Sequence, residues 1–434
     1  MKRSNENHRG LSLSRLCLSS AVALMLCHVT QAGSVTVDAG RGPVSVHVPA
    51  GYNPAIPMPL LMLLHGYTEN GPMEESYMQL TPLADAQGFL YLYPNGTFDT
   101  SGNRFWNATD SCCDFFGAGL DDSTYLSDLL EAVKQALNVD DRRVYLVGHS
   151  NGGFMSYRLS CDHPDLITAI ASLAGATWDD PTDCAPASGV HVLQIHGTAD
   201  TVILYGGGFF GGANQPGAVA TAEQWANFAG CSLIPDNSAP PLDLVASIAG
   251  AETTVSRYAT ACTGDGSAEL WTMVGAGHVP TLTSNFSPAV VDYLFAHARP
   301  GIGTPYCIGA PNSAGAGARM AGLGSTVVAD NDFTVITEGL PPSVFGLYFF
   351  GPNAIQAPFG DGFRCVGGAT QRLWPLKRAN IFGTAARTID LSTAPVVGTI
   401  VAGSDWNFQL WYRDGGGPGG NGFNVSDGLS VMFQ

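Results

Sequence analysis

Charged side chains are scarce in this sequence of 434 residues. They make up 13% of the chain, and only three of them are lysines, at positions 2, 134 and 377. The formal net charge is −17. Binding to nucleic acid or to an anionic membrane needs clustered lysine and arginine, which this chain lacks. We therefore expect no nucleic-acid partner.

The sequence also lacks long apolar runs after residue 32, and it has no Cys-x-x-Cys pair or Cys/His cluster with zinc-site spacing. We therefore expect a chain that does not span a membrane and that carries no metal or other cofactor. Hydrophobic residues nevertheless make up 45% of the chain, enough for a sizeable core. The length favours two domains, and we expect the protein to be a monomer.

The first 32 residues predict a targeting segment. Residues 2–15 carry four basic side chains, an apolar stretch follows at residues 16–29, and Thr30-Gln31-Ala32 resembles a cleavage site. This pattern predicts a secretory signal peptide cleaved after Ala32. A membrane anchor is the alternative, although the apolar stretch is short for a bilayer span. Cleavage would move the formal charge to about −20, and the mature protein would be secreted, periplasmic or attached to the cell surface.

Eight cysteines remain after this cleavage, an even number that predicts disulfide bonds in an exported protein. We predict the local pairs Cys231–Cys262 and Cys307–Cys365. The other four can pair in three ways, which the sequence leaves open: Cys112, Cys113, Cys161 and Cys184. The adjacent residues Cys112 and Cys113 are expected to be structural and not redox-active.

Strand-like and helix-like segments alternate between residues 35 and 298, which predicts a mainly parallel sheet with helices on both faces. This α/β domain is expected to span residues 33–299. The predicted strands are at residues 35–37, 44–48, 60–64, 90–93, 144–147, 169–173, 190–195 and 269–274. The predicted helices are at residues 122–137, 153–160, 219–229 and 288–298.

Helical periodicity disappears after a Pro/Gly-containing linker at residues 300–305. Short β-like runs at residues 333–336, 344–350 and 408–412 alternate with turn residues beyond it. This spacing predicts a C-terminal all-β, sandwich-like domain at residues 306–434, whose role the sequence does not reveal.

A Gly-His-Ser-Asn-Gly motif at residues 148–152 follows a predicted buried strand and precedes a predicted helix. That context is typical of the nucleophile elbow, where small flanking residues permit a tight turn that exposes the serine. A serine hydroxyl reacts only when a base takes its proton and an acid orients the base. Asp200 follows the strand at residues 190–195, and His278 lies in the loop after the strand at 269–274. We therefore predict the triad Ser150, Asp200 and His278.

The oxyanion formed during acyl transfer needs two N–H donors. We predict the backbone N–H of Asn151 and that of Tyr67, in the loop after the strand at residues 60–64. Tyr67, Trp178 and Trp106 are predicted to contact substrate, although an aromatic residue can equally belong to the core. The glycine-rich segment at residues 205–212 is predicted to form a flap.

Residues 35–298 resemble the esterase family that groups polyhydroxybutyrate depolymerase-like proteins with secreted feruloyl esterases. The resemblance rests on the motifs at residues 63–68, 106–107 with 112–113, 148–153, 161–165 and 196–200. It implies an α/β-hydrolase fold and cofactor-free hydrolysis of carboxylic esters. The sequence departs from many relatives after the histidine, where Val279 stands in place of an aromatic residue.

The leading functional hypothesis is a secreted serine esterase that hydrolyses an ester polymer of the polyhydroxyalkanoate type, or a small ester. The alternatives are a feruloyl or acetyl-xylan esterase acting on polysaccharide, an aromatic polyester hydrolase and, with less support, a serine peptidase. From a different class comes a surface-binding protein with a vestigial hydrolase domain, which the complete set of triad residues disfavours.

Overall fold

The computed structural model describes residues 32–186 and 189–434; the predicted signal peptide, apart from Ala32, lies outside them. The strands up to residue 300 are β1 Gly33–Asp38, β2 Pro43–Val48, β3 Met58–Leu64, β4 Leu90–Leu92, β5 Thr97–Phe98, β6 Arg104–Phe105, β7 Val139–His149, β8 Ala169–Leu173, β9 His191–Gly197, β10 Gly207–Phe210, β11 Ala213–Pro216, β12 Thr253–Tyr258 and β13 Ser267–Met273. The helices are α1 Gly71–Met78, α2 Thr81–Gln87, α3 Asp122–Ala136, α4 Asn151–Asp162, α5 Ala218–Phe228 and α6 Phe286–Phe295, with a 3-10 turn at Pro181–Asp183.

Nine of the described strands form one sheet in the order β1-β2-β4-β3-β7-β8-β9-β13-β12. The six strands from β4 to β13 run parallel, and β1, β2 and β12 pair antiparallel at the two edges. Two hydrophobic clusters cover the two faces of this sheet. The predicted α/β-hydrolase fold is therefore confirmed.

The parallel arrangement decides where functional side chains meet. Strands β3, β7, β8, β9 and β13 all end at the same edge of the sheet because they run in the same direction. The segments that follow them carry five of the seven residues predicted for the site: Tyr67, Ser150, Trp178, Asp200 and His278. This carboxyl edge is where parallel α/β sheets generally bind ligands.

Short helices α1 and α2 and edge strand β12 were not predicted. Each short helix has a proline in its first turn, and neither shows a broad apolar stripe. Such segments give almost no periodic signal, and their helical structure depends on packing against the sheet. The longer predicted elements are all present, with ends that differ by a few residues from the prediction.

The C-terminal strands are β14 Thr304–Tyr306, β15 Arg319–Gly324, β16 Phe333–Glu338, β17 Phe345–Gly351, β18 Asn353–Phe359, β19 Gly362–Gly367, β20 Gln371–Arg378, β21 Ala385–Ile389, β22 Asp405–Arg413, β23 Phe423–Val425 and β24 Gly428–Met432, with a 3-10 turn at Val328–Asp330. One antiparallel sheet has the order β14-β24-β22-β17-β20, with β23 beside β22, and a second has the order β15-β16-β21. A shared hydrophobic core holds these two sheets together. Strand β14 begins inside the predicted linker at residues 300–305.

The C-terminal β region contacts the α/β domain near the amino end of β7. Glu338 pairs with Arg142 at 3.4 Å and with Arg143 at 2.7 Å, and both arginines also pair with buried Asp140. At about 3.3 Å per residue, Arg143 and Ser150 are roughly 23 Å apart along the chain. The contact therefore lies at the opposite end of the sheet from the elbow.

Four disulfide bonds connect the cysteines of the described residues. The predicted pairs Cys231–Cys262 and Cys307–Cys365 are present. The four cysteines whose pairing the sequence left open form Cys112–Cys113 and Cys161–Cys184. Across residues 32–186 and 189–434, no helix combines the length and the apolar character that a bilayer crossing requires.

Buried Asp427 predicts that the stability of the C-terminal domain depends on pH. Its Oδ1 accepts a hydrogen bond from the Met320 backbone N–H at 2.7 Å, and burial raises its pKa to about 7. An unfolded aspartate has a pKa of about 3.9, so the folded state holds the proton more tightly. The resulting stabilisation is complete below about pH 4 and is lost as the pH rises through about 7, by up to about 4 kcal/mol.

Asp427→Asn is therefore expected to flatten the fall in the free energy of unfolding between about pH 4 and about pH 8. The amide oxygen can still accept from Met320, while the charge that burial penalises is absent. Calorimetric unfolding of the full chain across this pH range measures the effect. An equally steep fall in the variant would show that another group causes it.

Candidate active site

The turn at residues 148–152 forces Ser150 into a conformation that few residues with side chains adopt. Its φ is 52° and its ψ is −119°, between the end of β7 and the start of α4. A Cβ atom on Gly148 would collide with the carbonyl oxygen of Gly152, and one on Gly152 would collide with that of Leu64. Only glycine fits at these two positions, which agrees with the predicted elbow.

Hydrogen bonds connect the three predicted triad residues in the order Ser150, His278, Asp200. His278 Nε2 lies 2.9 Å from Ser150 Oγ, and His278 Nδ1 lies 2.7 Å from Asp200 Oδ2. With Nδ1–H donating to the carboxylate, Nε2 is free to accept the serine proton. Ser150 and His278 are both partly exposed, while Asp200 is buried. The arrangement has the geometry that activates a serine nucleophile.

Asp200 is held as a carboxylate by its surroundings. Burial alone would raise its pKa, but hydrogen bonds from His196 and His278 outweigh that effect and hold the pKa well below its usual range. Its other oxygen accepts the backbone N–H groups of Val202 at 2.8 Å and Ile203 at 2.9 Å. The acid is therefore ionised at neutral pH and fixed in orientation, as an orienting group must be.

His196 supports the loop that carries Asp200. Its Nδ1 accepts from Gln194 Nε2 at 3.0 Å, and its Nε2 donates to the Ile203 carbonyl at 2.8 Å. The same Nε2 lies 3.3 Å from Asp200 Oδ2. These contacts give His196 a structural role. Gln194 fixes its tautomer and itself accepts a hydrogen bond from the Tyr157 hydroxyl at 2.6 Å.

The two backbone N–H groups predicted to bind the oxyanion have no acceptor within the described part of the protein. Neither the N–H of Asn151 nor that of Tyr67 donates to a protein group in the described ranges. His65 shapes the Tyr67 loop, because Nδ1 donates to the Gly66 carbonyl at 2.7 Å and Nε2 accepts the Gly96 N–H at 2.9 Å. Burial lowers the pKa of His65 to about 4, so it remains neutral.

The Asn151 side chain has a role that the sequence did not reveal. Its Oδ1 accepts the Trp106 N–H at 2.7 Å and its Nδ2 donates to the Trp106 carbonyl at 2.8 Å. Trp106 in turn donates from Nε1 to the His65 carbonyl at 3.1 Å. Asn151 therefore fixes the backbone of Trp106, whose side chain in turn supports the Tyr67 loop.

Asn151→Ala is expected to reduce the free energy of unfolding by about 2–3 kcal/mol, because two buried backbone groups of Trp106 lose their partners. The backbone N–H of residue 151 remains, so kcat should fall less than the 10²–10³-fold typical of a lost oxyanion donor. Urea unfolding and p-nitrophenyl butyrate kinetics measure both quantities, with exposed Asn237→Ala as the control. An unchanged free energy of unfolding would show that the Asn151 side chain does not stabilise the Trp106 loop.

Aromatic rings line one side of the Tyr67 loop. The Tyr67 ring lies 5.1 Å from that of Phe115, which lies 5.7 Å from that of Phe210. The Tyr67 hydroxyl donates to Asp99 Oδ2 at 2.8 Å and accepts from Asn103 Nδ2 at 3.1 Å. The segment at residues 205–212 forms the first half of the β10–β11 hairpin, which brings Phe210 to this cluster.

The two predicted tryptophan contacts differ in their surroundings. Trp106 has no exposed surface, so its ring cannot reach a substrate in this structure and instead supports the loop above it. The sequence placed it near the site but could not show which side of the loop it faces. Trp178 follows β8 and keeps 8% of its surface exposed, with the Arg158 guanidinium 5.9 Å from its ring. Its contact with substrate remains a prediction.

The fold and the site together define an α/β-hydrolase. Residues 44–209 match the family model described as Esterase PHB depolymerase. This match confirms the resemblance to that esterase family that the sequence motifs indicated. The matched range contains Tyr67, Ser150, Asn151 and Asp200, and it ends before His278.

Curated relatives resemble less than half of the chain. The chain is 30% identical to the putative esterase NocK of Nocardia uniformis subsp. tsuyamanensis over 41% of its own length and 51% of the relative's. It is 28% identical to feruloyl esterase B of Piromyces equi over 45% of this chain and 37% of that protein. It is 26% identical to poly(3-hydroxyalkanoate) depolymerase C of Paucimonas lemoignei, over 40% of each chain. The chain thus spans about half or less of these relatives.

Proposed function

We propose that the protein is a serine carboxylic-ester hydrolase that forms an acyl-enzyme on Ser150. The hydrogen-bonded series Ser150–His278–Asp200 at a strained elbow carries this proposal. Ser150 is partly exposed, has a strained backbone conformation and is paired with a histidine whose second nitrogen is fixed by a buried carboxylate. A purely structural serine would need none of these features. The match to an esterase family supports the same reaction class.

The reaction follows from the positions of these groups. His278 Nε2 takes the Ser150 proton as Oγ attacks the ester carbonyl carbon, and the N–H groups of Tyr67 and Asn151 stabilise the oxyanion. His278 then gives the proton to the leaving alkoxide. A water molecule, deprotonated by His278, next attacks the acyl-serine and releases the acid, while Asp200 stabilises the imidazolium in both steps.

For the substrate, we propose an extracellular polyester of the polyhydroxyalkanoate type. The nucleophile is partly exposed, and Gly277 and Val279 on either side of His278 are exposed as well, so a chain-shaped substrate can approach from solvent. One relative is named as a poly(3-hydroxyalkanoate) depolymerase. Disulfide bonds and the predicted signal peptide support export, which polymer hydrolysis outside the cell requires.

A feruloyl ester is the second candidate substrate. The ring cluster of Tyr67, Phe115 and Phe210 offers an aromatic wall beside the oxyanion loop, on which a planar acyl group could pack. One relative is named as a feruloyl esterase.

A panel of substrates separates these proposals. Full-length protein is incubated with polyhydroxybutyrate film, methyl ferulate, acetylated xylan and p-nitrophenyl butyrate, and the released acid is quantified. We expect hydroxybutyrate from the film at a rate per enzyme well above that of Ser150→Ala. Ferulate release without film hydrolysis would contradict the polyester proposal and favour the second candidate. Failure to hydrolyse any of the four would contradict the esterase proposal itself.

A further inference from the structure

Next to the nucleophile elbow lies a group of three acceptors: partly buried Glu69 from the Tyr67 loop, and buried Glu74 from α1 and His149 from the end of β7. One ligand-type atom of each lies within 4.8 Å of the other two. Glu74 and His149 have side-chain exposures of 0% and 3%. Glu74 Oε1 and His149 Nδ1 are buried without a hydrogen-bond partner. The group takes no part in the reaction described above.

The tautomer of His149 follows from its other nitrogen. His149 Nε2 lies 3.1 Å from the His278 carbonyl oxygen, so Nε2 must carry the hydrogen and donate it. In the neutral ring the lone pair of Nδ1 then points at the carboxylates, with Glu74 Oε2 at 3.7 Å. Three electron-rich atoms therefore face one another, and no hydrogen atom of the neutral ring lies between them.

No lysine or arginine side chain compensates these carboxylates. Neither Glu69 nor Glu74 forms an ion pair with lysine or arginine in the part of the chain that the structure describes. With a neutral histidine and both carboxylates ionised, the group carries two negative charges, which one divalent cation would balance.

We infer that Glu69, Glu74 and His149 form a binding site for a divalent transition-metal cation of the Zn²⁺ type. One imidazole and two carboxylates are ligands that Zn²⁺ accepts, with a fourth position for water. Atoms within 4.8 Å of one another leave a central point about 2.8 Å or less from each, so a small closure reaches Zn²⁺ bond lengths of about 2.0–2.2 Å. This site revises the expectation from the sequence that the chain carries no metal.

Gly66 leaves room for this closure. A Cβ atom there would lie 3.1 Å from Glu69 Oε2 and 3.5 Å from His149 Nδ1, so the turn passes directly over the three ligands. The Gly66 N–H also donates to Glu74 Oε2 at 3.3 Å. A bound cation would thus fix the loop that presents the Tyr67 N–H and, through His149, the loop that presents His278. Its role is structural, next to the catalytic groups.

Calorimetric titration of the full-length protein with ZnCl₂, after dialysis against a chelator, tests the site. We expect one Zn²⁺ per chain and a higher Tm in its presence, because a ligand that binds the folded state stabilises it. Glu69→Gln keeps the side-chain shape, removes one charged ligand and should weaken binding by at least about 10-fold. Asp85→Asn, which alters the surface pair His47–Asp85 instead, should bind as tightly as the wild type.

Two results would overturn the inference. If no stoichiometric Zn²⁺ binding is seen, protons alone compensate the three acceptors. If Glu69→Gln binds Zn²⁺ as tightly as the wild type, Glu69 is not a ligand. The titration is repeated on Ser150→Ala, which keeps all three ligands. Binding is measured without ester turnover, so its result is distinguishable from a failure of the proposed esterase activity.

Discussion

Ser150→Ala is expected to lower kcat for p-nitrophenyl butyrate by roughly 10⁵–10⁶-fold, with little change in Tm. Removal of the nucleophile in a comparable triad costs about this much, because the remaining oxyanion donors supply only a small part of the rate enhancement. Ser150 is partly exposed and its hydroxyl is hydrogen-bonded to His278 Nε2, so the loss of the hydroxyl removes little packing. Steady-state kinetics and calorimetry of the full-length variant measure the two effects.

Ser160→Ala is the matched control for this variant. Ser160 lies on α4, the helix that begins after the nucleophile, and its buried hydroxyl donates to the Ser156 carbonyl at 2.9 Å. It contacts none of the triad residues, so kcat should stay near that of the wild type. A Ser150→Ala enzyme that retained even one per cent of wild-type kcat (about 10²-fold loss) would contradict the acyl-enzyme on Ser150.

Asp200→Asn is expected to lower kcat by about 10⁴-fold. The amide nitrogen would face His278 Nδ1 and donate to it, so the hydrogen would move to Nε2, where the nitrogen could no longer accept the Ser150 proton. The same amide would face the Nε2–H of His196, 3.3 Å from the carboxylate oxygen, and two donors cannot satisfy each other. The loss should appear in kcat and kcat/KM together, because the substrate contacts remain.

Asp236→Asn, in an exposed loop, is the control for the same change of side chain. It should leave kcat unaltered. If Asp200→Asn retained wild-type kcat, Asp200 would not orient His278, and the third member of the proposed triad would have to be sought elsewhere.

The longer helices and buried strands of this protein could be predicted from its sequence. Helix α3 has an apolar stripe and an Asp121 N-cap, and strand β3 and residues 144–147 of β7 are continuous apolar runs. The order of Ser150, Asp200 and His278 along the chain also placed them on loops at one sheet edge. These predictions succeed because local pattern and tertiary environment agree.

Other features depend on contacts between distant segments. Trp106 was expected at the surface of the site, yet the Asn151 side chain holds its backbone and its ring is fully buried. Glu74 gave no signal, because α1 is short and its carboxylate becomes significant only beside His149, 75 positions further on. The pairing Cys161–Cys184 was one of several open choices until the fold brought the two residues together.

Labelling with a fluorophosphonate probe tests the central claim most directly, since the probe reacts covalently with a serine activated by a neighbouring base. Full-length protein is treated with the probe, and the modified peptide is identified by mass spectrometry. The account predicts a single adduct on Ser150 that is absent from Ser150→Ala and strongly slowed in Asp200→Asn. An unlabelled wild-type protein, or equal labelling of Ser150→Ala, would contradict the claim that Ser150 is an activated nucleophile.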